Sequence, residues 1–230
     1  MVYDSRVQRV IYMTDSGAGW AWDGNDWSRA WQSADVPQPV GDSRFLDSTN
    51  LSLGYDEDHQ MVIVLSARLV TDVVASNITQ TESFVTSGWD GSKWQQLART
   101  KGDSHGDNGP DWQFGRMAFD RDRHQMVAMG IHSTWTWDGA AWAAHGKGSS
   151  EFKTSSGGGV GIYDPARHRM LWFDGSLDGK HAYPTRLANV WTGNAWTELP
   201  SKNAPFDDFP SIAFDESHGL VVMVGGQSDA

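Results

Sequence analysis

The residues of this chain best suited to chemistry are histidines and carboxylates that fall outside any repeating pattern. His105, His132, His145 and His181 share no common spacing, whereas His59, His124, His168 and His218 each follow an aromatic-Asp pair within four residues, a repetition that marks them as structural or incidental. His105, His132 and His181, with Asp15 and Asp174, could act as acid and base, because imidazole exchanges protons near neutral pH and a carboxylate can partner it. The same donors hold divalent cations. The stretch DSHGDNGPD, residues 103–111, sets Asp103, His105, Asp107 and Asp111 at alternating positions among glycines, somewhat like a calcium loop. Calcium or zinc is the cofactor these side chains would take. The loop departs from calcium-binding spacing in three ways: His105 holds the second ligand place, Gly109 comes one residue late, and no bidentate Glu follows. A solvated acidic rim therefore stays open beside the metal site.

A second set is built for gripping. Trp31, Trp112 and Tyr183 offer flat apolar faces, and Arg44, Arg186, Asp207 and Asp208 offer directional polar groups, the combination that holds a small molecule, glycan or peptide by stacking plus hydrogen bonds. The same aromatics would also serve to cap the ends of sheets.

Bulk properties narrow the partners. Eighteen Lys and Arg against 29 Asp and Glu give a formal charge of -11, which repels phosphate backbones and anionic lipid surfaces, so neither nucleic acid nor a membrane is expected as a partner. With no cysteine, disulfides, thiolate metal sites and cysteine nucleophiles are excluded and the redox compartment is left open. The first residues, MVYDSRVQRVIYM, lack the basic and apolar regions of a signal peptide, and no apolar run is long enough to span a bilayer, so a soluble chain is expected. The compartment stays open. The sequence has no H-E-x-x-H, no phosphate-binding loop ending in Lys-Ser or Lys-Thr and no dinucleotide fingerprint. SSGGGVG at 155–161 leads into a strand pattern, not a helix N-terminus, so it is not read as a phosphate cradle.

The elements that must carry these residues repeat. GWAWDGNDW at 19–27, SGWDGSKW at 87–94, TWTWDGAAW at 134–142 and NVWTGNAW at 189–196 share the core W-[DT]-G-x-x-W. Alternation before the Asp-Gly corner marks a strand and the second Trp opens the returning one, so each unit is a β-hairpin. Before each, and once more near the end, a short strand closing in Tyr-Asp or Phe-Asp meets an apolar strand across about four polar residues, a second type of hairpin. The aromatics Tyr3, Tyr55, Phe119, Tyr163 and Phe214 are spaced by 52, 64, 44 and 51 residues. Thirteen Trp and 25 Gly suit many strands and tight turns. Four strands per period near 50 residues is the signature of a propeller blade.

The pattern resembles the kelch repeat, in the bacterial and galactose-oxidase central-domain form that runs Tyr-Asp, a short basic turn, an apolar strand ending in Gly-Gly, then Trp, Asp-Gly and Trp. The resemblance covers nearly the whole chain and implies an all-β fold, a β-propeller of four-stranded antiparallel blades. It implies no single function, because kelch propellers serve as binding scaffolds, interaction modules and enzyme domains. Gly-Gly after the apolar strand survives only at Gly225-Gly226. One domain over 1–230 is expected, with blades at about 1–31, 51–98, 114–145 and 159–200 and a partial blade at 210–230. A five-bladed ring with a thin last blade, part of a larger propeller, and completion by another chain all fit this count.

In such a blade the loops divide between two ends. Short turns hold one end. The long segments 32–53, 66–87, 99–115, 146–160, 174–188 and 200–210 are expected as irregular loops at the other, together with the four unregistered histidines and most of the candidate carboxylates. Long loops on a rigid scaffold are where binding usually sits. The expected function is a ligand-binding module using that loop face. Metal-assisted or acid-base catalysis by a hydrolase, lyase or isomerase, and a protein-interaction scaffold, are the alternatives.

Overall fold

An aromatic-Asp pair, four turn residues and an apolar run fold into an antiparallel hairpin in each of five places, and the Trp hairpins extend four of them to complete sheets. The structure, a computed structural model, describes residues 1–37, 48–74, 77–102, 117–129, 133–147, 159–173, 188–199 and 211–224. The first sheet is β1 (Val2–Asp4), β2 (Arg9–Met13), β3 (Gly19–Trp22) and β4 (Trp27–Trp31). The second is β5 (Ser48–Asp56), β6 (Met61–Val74), β7 (Asn77–Trp89) and β8 (Trp94–Gly102). The third is β9 (Met117–Asp120), β10 (Gln125–Met129), β11 (Ser133–Trp137) and β12 (Trp142–Lys147), and the fourth β13 (Val160–Asp164), β14 (Arg169–Phe173), β15 (Ala188–Trp191) and β16 (Trp196–Leu199). A two-stranded sheet, β17 (Ser211–Asp215) and β18 (Leu220–Val224), follows. In each of the four larger sheets the strands lie in sequence order, the up-and-down blade of a β-propeller. The fold is all-β, as the repeats require. No helix among the described residues is long and apolar enough to cross a membrane.

One expectation fails in the second sheet. Residues 48–53, 66–87 and 99–102 were expected within irregular loops, but β5 starts at Ser48, β8 runs to Gly102, and β6 and β7 pair without interruption from Val62 opposite Trp89 to Val74 opposite Asn77. The reason is legible in hindsight: the segment interleaves Val, Ile, Thr and Phe with polar residues, and β-branched side chains favour extended pairing even where the strand is half polar.

The chain divides into two compact units, Met1–Trp112 with Gly139–Trp142, and Gln113–Asp138 with Ala143–Ala230. In the first, Ile11, Ala21 and Trp31 of the first sheet pack on Tyr55, Val62, Val64 and Trp89 of the second. In the second, Val127 and Ala118 pack on Tyr163, Met170, Trp191 and Trp196. Full burial of a Val, Ile or Met among these stabilises its unit by roughly 1.5–3 kcal/mol.

A carboxylate closes every first hairpin, and in the four complete sheets it is buried. Asp4, Asp56, Asp120 and Asp164 are all buried. One oxygen accepts the turn's backbone N–H groups: Arg6 and Val7 at 3.0 and 3.3 Å for Asp4, Asp58 and His59 at 3.0 Å for Asp56, Asp122 and Arg123 at 3.2 and 3.3 Å for Asp120. The other oxygen meets a cationic or imidazole side chain from the same turn: His59 Nδ1 at 2.9 Å on Asp56, Arg123 at 3.0 Å on Asp120, Arg167 at 3.2 Å on Asp164, His218 Nδ1 at 2.7 Å on Asp215. The repeating histidines thus split into two roles. His59 and His218 pair with the Asp, while His124 and His168 take the next position, where the backbone is left-handed (φ 54° and 51°). Gln8 and Gln60 hold that place in the first two sheets and Gly219 in the last hairpin; a residue with a Cβ there carries a strain of about 1–2 kcal/mol, which the Asp cap must offset.

Replacing Asp120 by Ala strips two backbone donors and the Arg123 guanidinium of their acceptor in a buried site. The expected loss is about 2–4 kcal/mol, read by urea unfolding followed through tryptophan fluorescence. Asp215→Ala, where water can replace the carboxylate, should lose distinctly less; equal losses would remove the capping role assigned to burial.

Candidate functional site

The short-turn end of each sheet is the fully described one, and much of its chemistry is used in capping and packing. There the Asp-Gly corners are capped like the first hairpins. Asp23 Oδ1 accepts Asn25 and Asp26 N–H, both at 2.9 Å, and Asp90 Oδ1 accepts Ser92 N–H at 2.9 Å, Lys93 N–H at 3.0 Å and the Ser92 hydroxyl at 2.7 Å. In the fourth sheet Thr192 takes the Asp place, its Oγ1 accepting Ala195 N–H at 3.2 Å. These donors hold the Asp23 and Asp90 carboxyls below the usual carboxylate range, through the Asp26 amide first for Asp23 and the Ser92 hydroxyl first for Asp90.

Across the corner the two tryptophans face each other: Trp22 with Trp27, Trp89 with Trp94, and Trp191 with Trp196, ring centroids 5.6, 5.6 and 5.0 Å apart. The second Trp of a pair also reaches a threonine. Trp142 Nε1 donates to Thr86 Oγ1 at 2.7 Å in the first unit, and Trp196 Nε1 to Thr134 Oγ1 at 2.9 Å in the second. Thr86 and Thr134 each stand three residues before a first Trp, a register the sequence reading passed over. At the same place the first sheet has Gly19, and the indole N–H of Trp94 is correspondingly buried without a partner. The Gly19 position is filled instead by Trp31, whose ring a Cβ on Gly19 would strike.

The glycine of three of the four corners receives a side chain from another hairpin of its unit. Arg6 lies against Gly91, His59 against Gly139 and Arg123 against Gly193, each so close that a Cβ would collide with it. The glycines have φ of 86°, 96° and 99°, so both backbone conformation and the incoming side chain exclude larger residues. A tyrosine adds a second link: Tyr163 O–H donates to Asp122 Oδ1 at 2.7 Å, and Tyr55 O–H accepts Arg6 N–H at 3.3 Å. Burial, then the Asp122 carboxylate, pushes the Tyr163 hydroxyl up to about 12. The same hydrogen bond, with His168 Nδ1 at 3.2 Å, holds the Asp122 carboxyl below its ordinary 3.8.

Of the candidate site residues, two fall among those described. Asp15 is exposed in the tight Thr14–Ala18 turn between β2 and β3. Trp31, expected in the ligand-gripping set, is buried in the core of the first unit: its indole donates to Gly17 O at 2.8 Å and its ring meets Trp89 and Trp94 at 5.3 and 4.9 Å. His145, expected near the long loops, lies mid-strand in β12, with Nε2 2.8 Å from Thr136 Oγ1 and its ring edge-on to Trp191 at 5.4 Å. Its Nδ1 is 3.5 Å from Asn194 Oδ1, in the short Thr-Gly corner. Arg44, Asp103, His105, Asp107, Asp111, Trp112, His132, Asp174, His181, Tyr183, Arg186, Asp207 and Asp208 lie outside the described residues. Among the described residues no three His, Asp or Glu side chains gather as a metal site would need.

No known protein family's sequence profile matches the chain, and no curated protein resembles it significantly.

Two outcomes follow from this end of the sheets. Thr134→Val keeps the shape but leaves the Trp196 indole N–H without its acceptor, which should cost about 1–3 kcal/mol and appear as a lowered thermal midpoint. The Tyr163–Asp122 bond should be visible in pH dependence. Asp122 has a lowered folded-state pKa, so its contribution is present above 3.8 and is lost as pH falls through the folded value. Tyr163 has a raised one, so its contribution is complete below 10 and is lost as pH rises towards about 12. The stability gap between the wild type and Tyr163→Phe should therefore be level between these limits and narrow on both sides; a gap that does not change with pH would exclude the pairing.

Proposed function

We propose that the chain is a kelch-like binding module that holds a glycan, or a small molecule or peptide of similar polar and apolar character, at the end of its sheets opposite the short turns. The observation that carries this reading is how far the short-turn end is taken up by structure. There most of the carboxylates, glycine corners and indoles cap turns or link one sheet to the next, which directs the search for ligand chemistry to the other segments. β8, β10, β14 and β16 finish at the opposite end, and β11 and β15 start there. The segments that connect them contain Trp112, His132, Tyr183, Arg186, Asp207 and Asp208. An aromatic face beside carboxylates and guanidinium groups suits a sugar ring, which has an apolar face and a rim of hydroxyls.

The test is a printed array of neutral and acidic oligosaccharides probed with the labelled wild type and with Trp112→Ala and Tyr183→Ala. The wild type should bind a subset of the array. Each variant should bind at least about tenfold more weakly, the loss of one stacking contact of about 1.4 kcal/mol, with an unchanged circular dichroism spectrum. No oligosaccharide retained by the wild type, or both variants binding as it does, would refute the reading.

A further inference from the structure

The inner face of the fourth sheet carries polar groups at its centre. Trp172 of β14 stands directly opposite Asn189 of β15, and Trp191 follows two residues later on the same strand, so the three side chains share one face. That face packs on the third sheet: Trp191 lies with Tyr163, Met170 and Trp196 against Val127 and Ala118. One polar contact across the interface is satisfied, the indole N–H of Trp196 donating to Thr134 Oγ1 at 2.9 Å.

Asn189 is not matched in this way. It is 0% exposed, and among the described residues neither its Oδ1 nor its Nδ2 has a hydrogen-bond partner. The indole N–H groups of Trp172 and Trp191 are also buried without partners, but packing accounts for those rings, which meet Trp196 at centroid distances of 6.3 and 5.0 Å. A carboxamide brings no comparable packing gain. It carries two donors and two acceptor lone pairs into a place where Leu would fill similar volume with nothing left unsatisfied.

The feature recurs in the other unit. Two residues before its first Trp, the place of Asn189, the second sheet has Ser87, and the Ser87 hydroxyl is likewise buried without a partner. Both residues lie one strand in from the edge of their sheets. Asn189 pairs with Glu198 and Ser87 with Gln96, and both of these edge-strand residues are exposed. A buried polar group thus stands next to a solvated one in each unit.

We propose that Asn189 is a buried binding site for hydroxyl groups. An anion would meet Oδ1 and the Glu198 carboxylate across the ladder, and a metal cation would meet the Nδ2 donors; a hydroxyl suits both ends of the amide, donating to Oδ1 and accepting from Nδ2. The hydroxyl is supplied by internal water, which takes such buried polar positions in folded proteins, or by a polyhydroxylated ligand, the second source resting on the binding reading above.

Solution NMR of the wild type tests the site and separates the sources. The Asn189 side-chain NH2 pair is assigned through its bonds to the backbone and by its loss in Asn189→Leu. Trapped water gives, in the protein alone, a cross-relaxation peak between this pair and the water resonance with the sign of a slowly tumbling complex. A ligand source gives no such peak, and titration with methyl glucoside then shifts the pair saturably while the side-chain NH2 of the exposed Asn25 stays in place. Neither signal would overturn the proposal, as would a scalar coupling from Asn189 Nδ2 to a protein carbonyl, which shows the amide satisfied from within the chain. Binding on the oligosaccharide array with neither NMR signal refutes this site and leaves the binding reading standing; a water peak with no array binding does the reverse.

Discussion

The carboxylate at the end of each first strand is the constraint from which the rest of the fold follows. A hairpin of this length turns the chain with at least two backbone N–H groups pointing inward, and each of them needs an acceptor. Asp4, Asp56, Asp120 and Asp164 accept those groups and are buried in doing so, and in three of the four a cationic or imidazole side chain meets the other oxygen, while Asp4 Oδ2 is buried without a hydrogen-bond partner. In the second, third and fourth sheets that partner comes from the turn itself. The turn is thereby fixed tightly enough to hold Gln8, Gln60, His124 and His168 in left-handed backbone.

A rigid turn can then serve as a connector. The side chain that meets the Asp in two of the turns, His59 or Arg123, also lies against a glycine corner in another hairpin, so one residue caps its own strand pair and sets the spacing to the next. Tyr163 adds a buried hydroxyl to the same turn, and Thr134 receives the indole of Trp196 in the strand above. These links are individually modest, about 1 kcal/mol each for a typical hydrogen bond. Because they recur at matching positions, they fix how one sheet is placed on another more closely than the apolar core between them could, since apolar contact alone is not directional.

The fold was legible because it repeats. Tyr-Asp and Trp-Asp-Gly recur at near-constant spacing, and any residue demanded by the geometry of every sheet reappears four or five times. What appears once was harder to read. Residues 66–87 mix Arg, Asp, Gln and Glu with Val, Ile and Thr, and composition alone could not distinguish a polar loop from a strand with one polar face. Trp31 looked like a ligand platform because it lies outside the Trp-Asp-Gly register; it is a core residue because Gly19, also unique to its sheet, leaves room for its ring. His145 was assigned to the loop end from its place after a Trp hairpin, but the strand continues through it and its partners are Thr136 and Asn194. In each case the misreading came from a local departure whose compensation lay in another strand.

The same logic explains why the candidate ligand residues resist derivation from pattern. A side chain that builds the blade must appear in every blade, whereas one that binds a particular molecule needs to appear once, at whatever height and angle that molecule requires. The short-turn end has no such freedom, because shifting one Asp, glycine or tyrosine there disturbs both its own hairpin and the hairpin stacked on it. Trp112, His132, Tyr183 and Asp207 fall in the segments between the blades, outside the described residues. A structural requirement is repeated in every blade and a binding requirement need not be, so the binding reading proposed above looks to the segments that break the repeat.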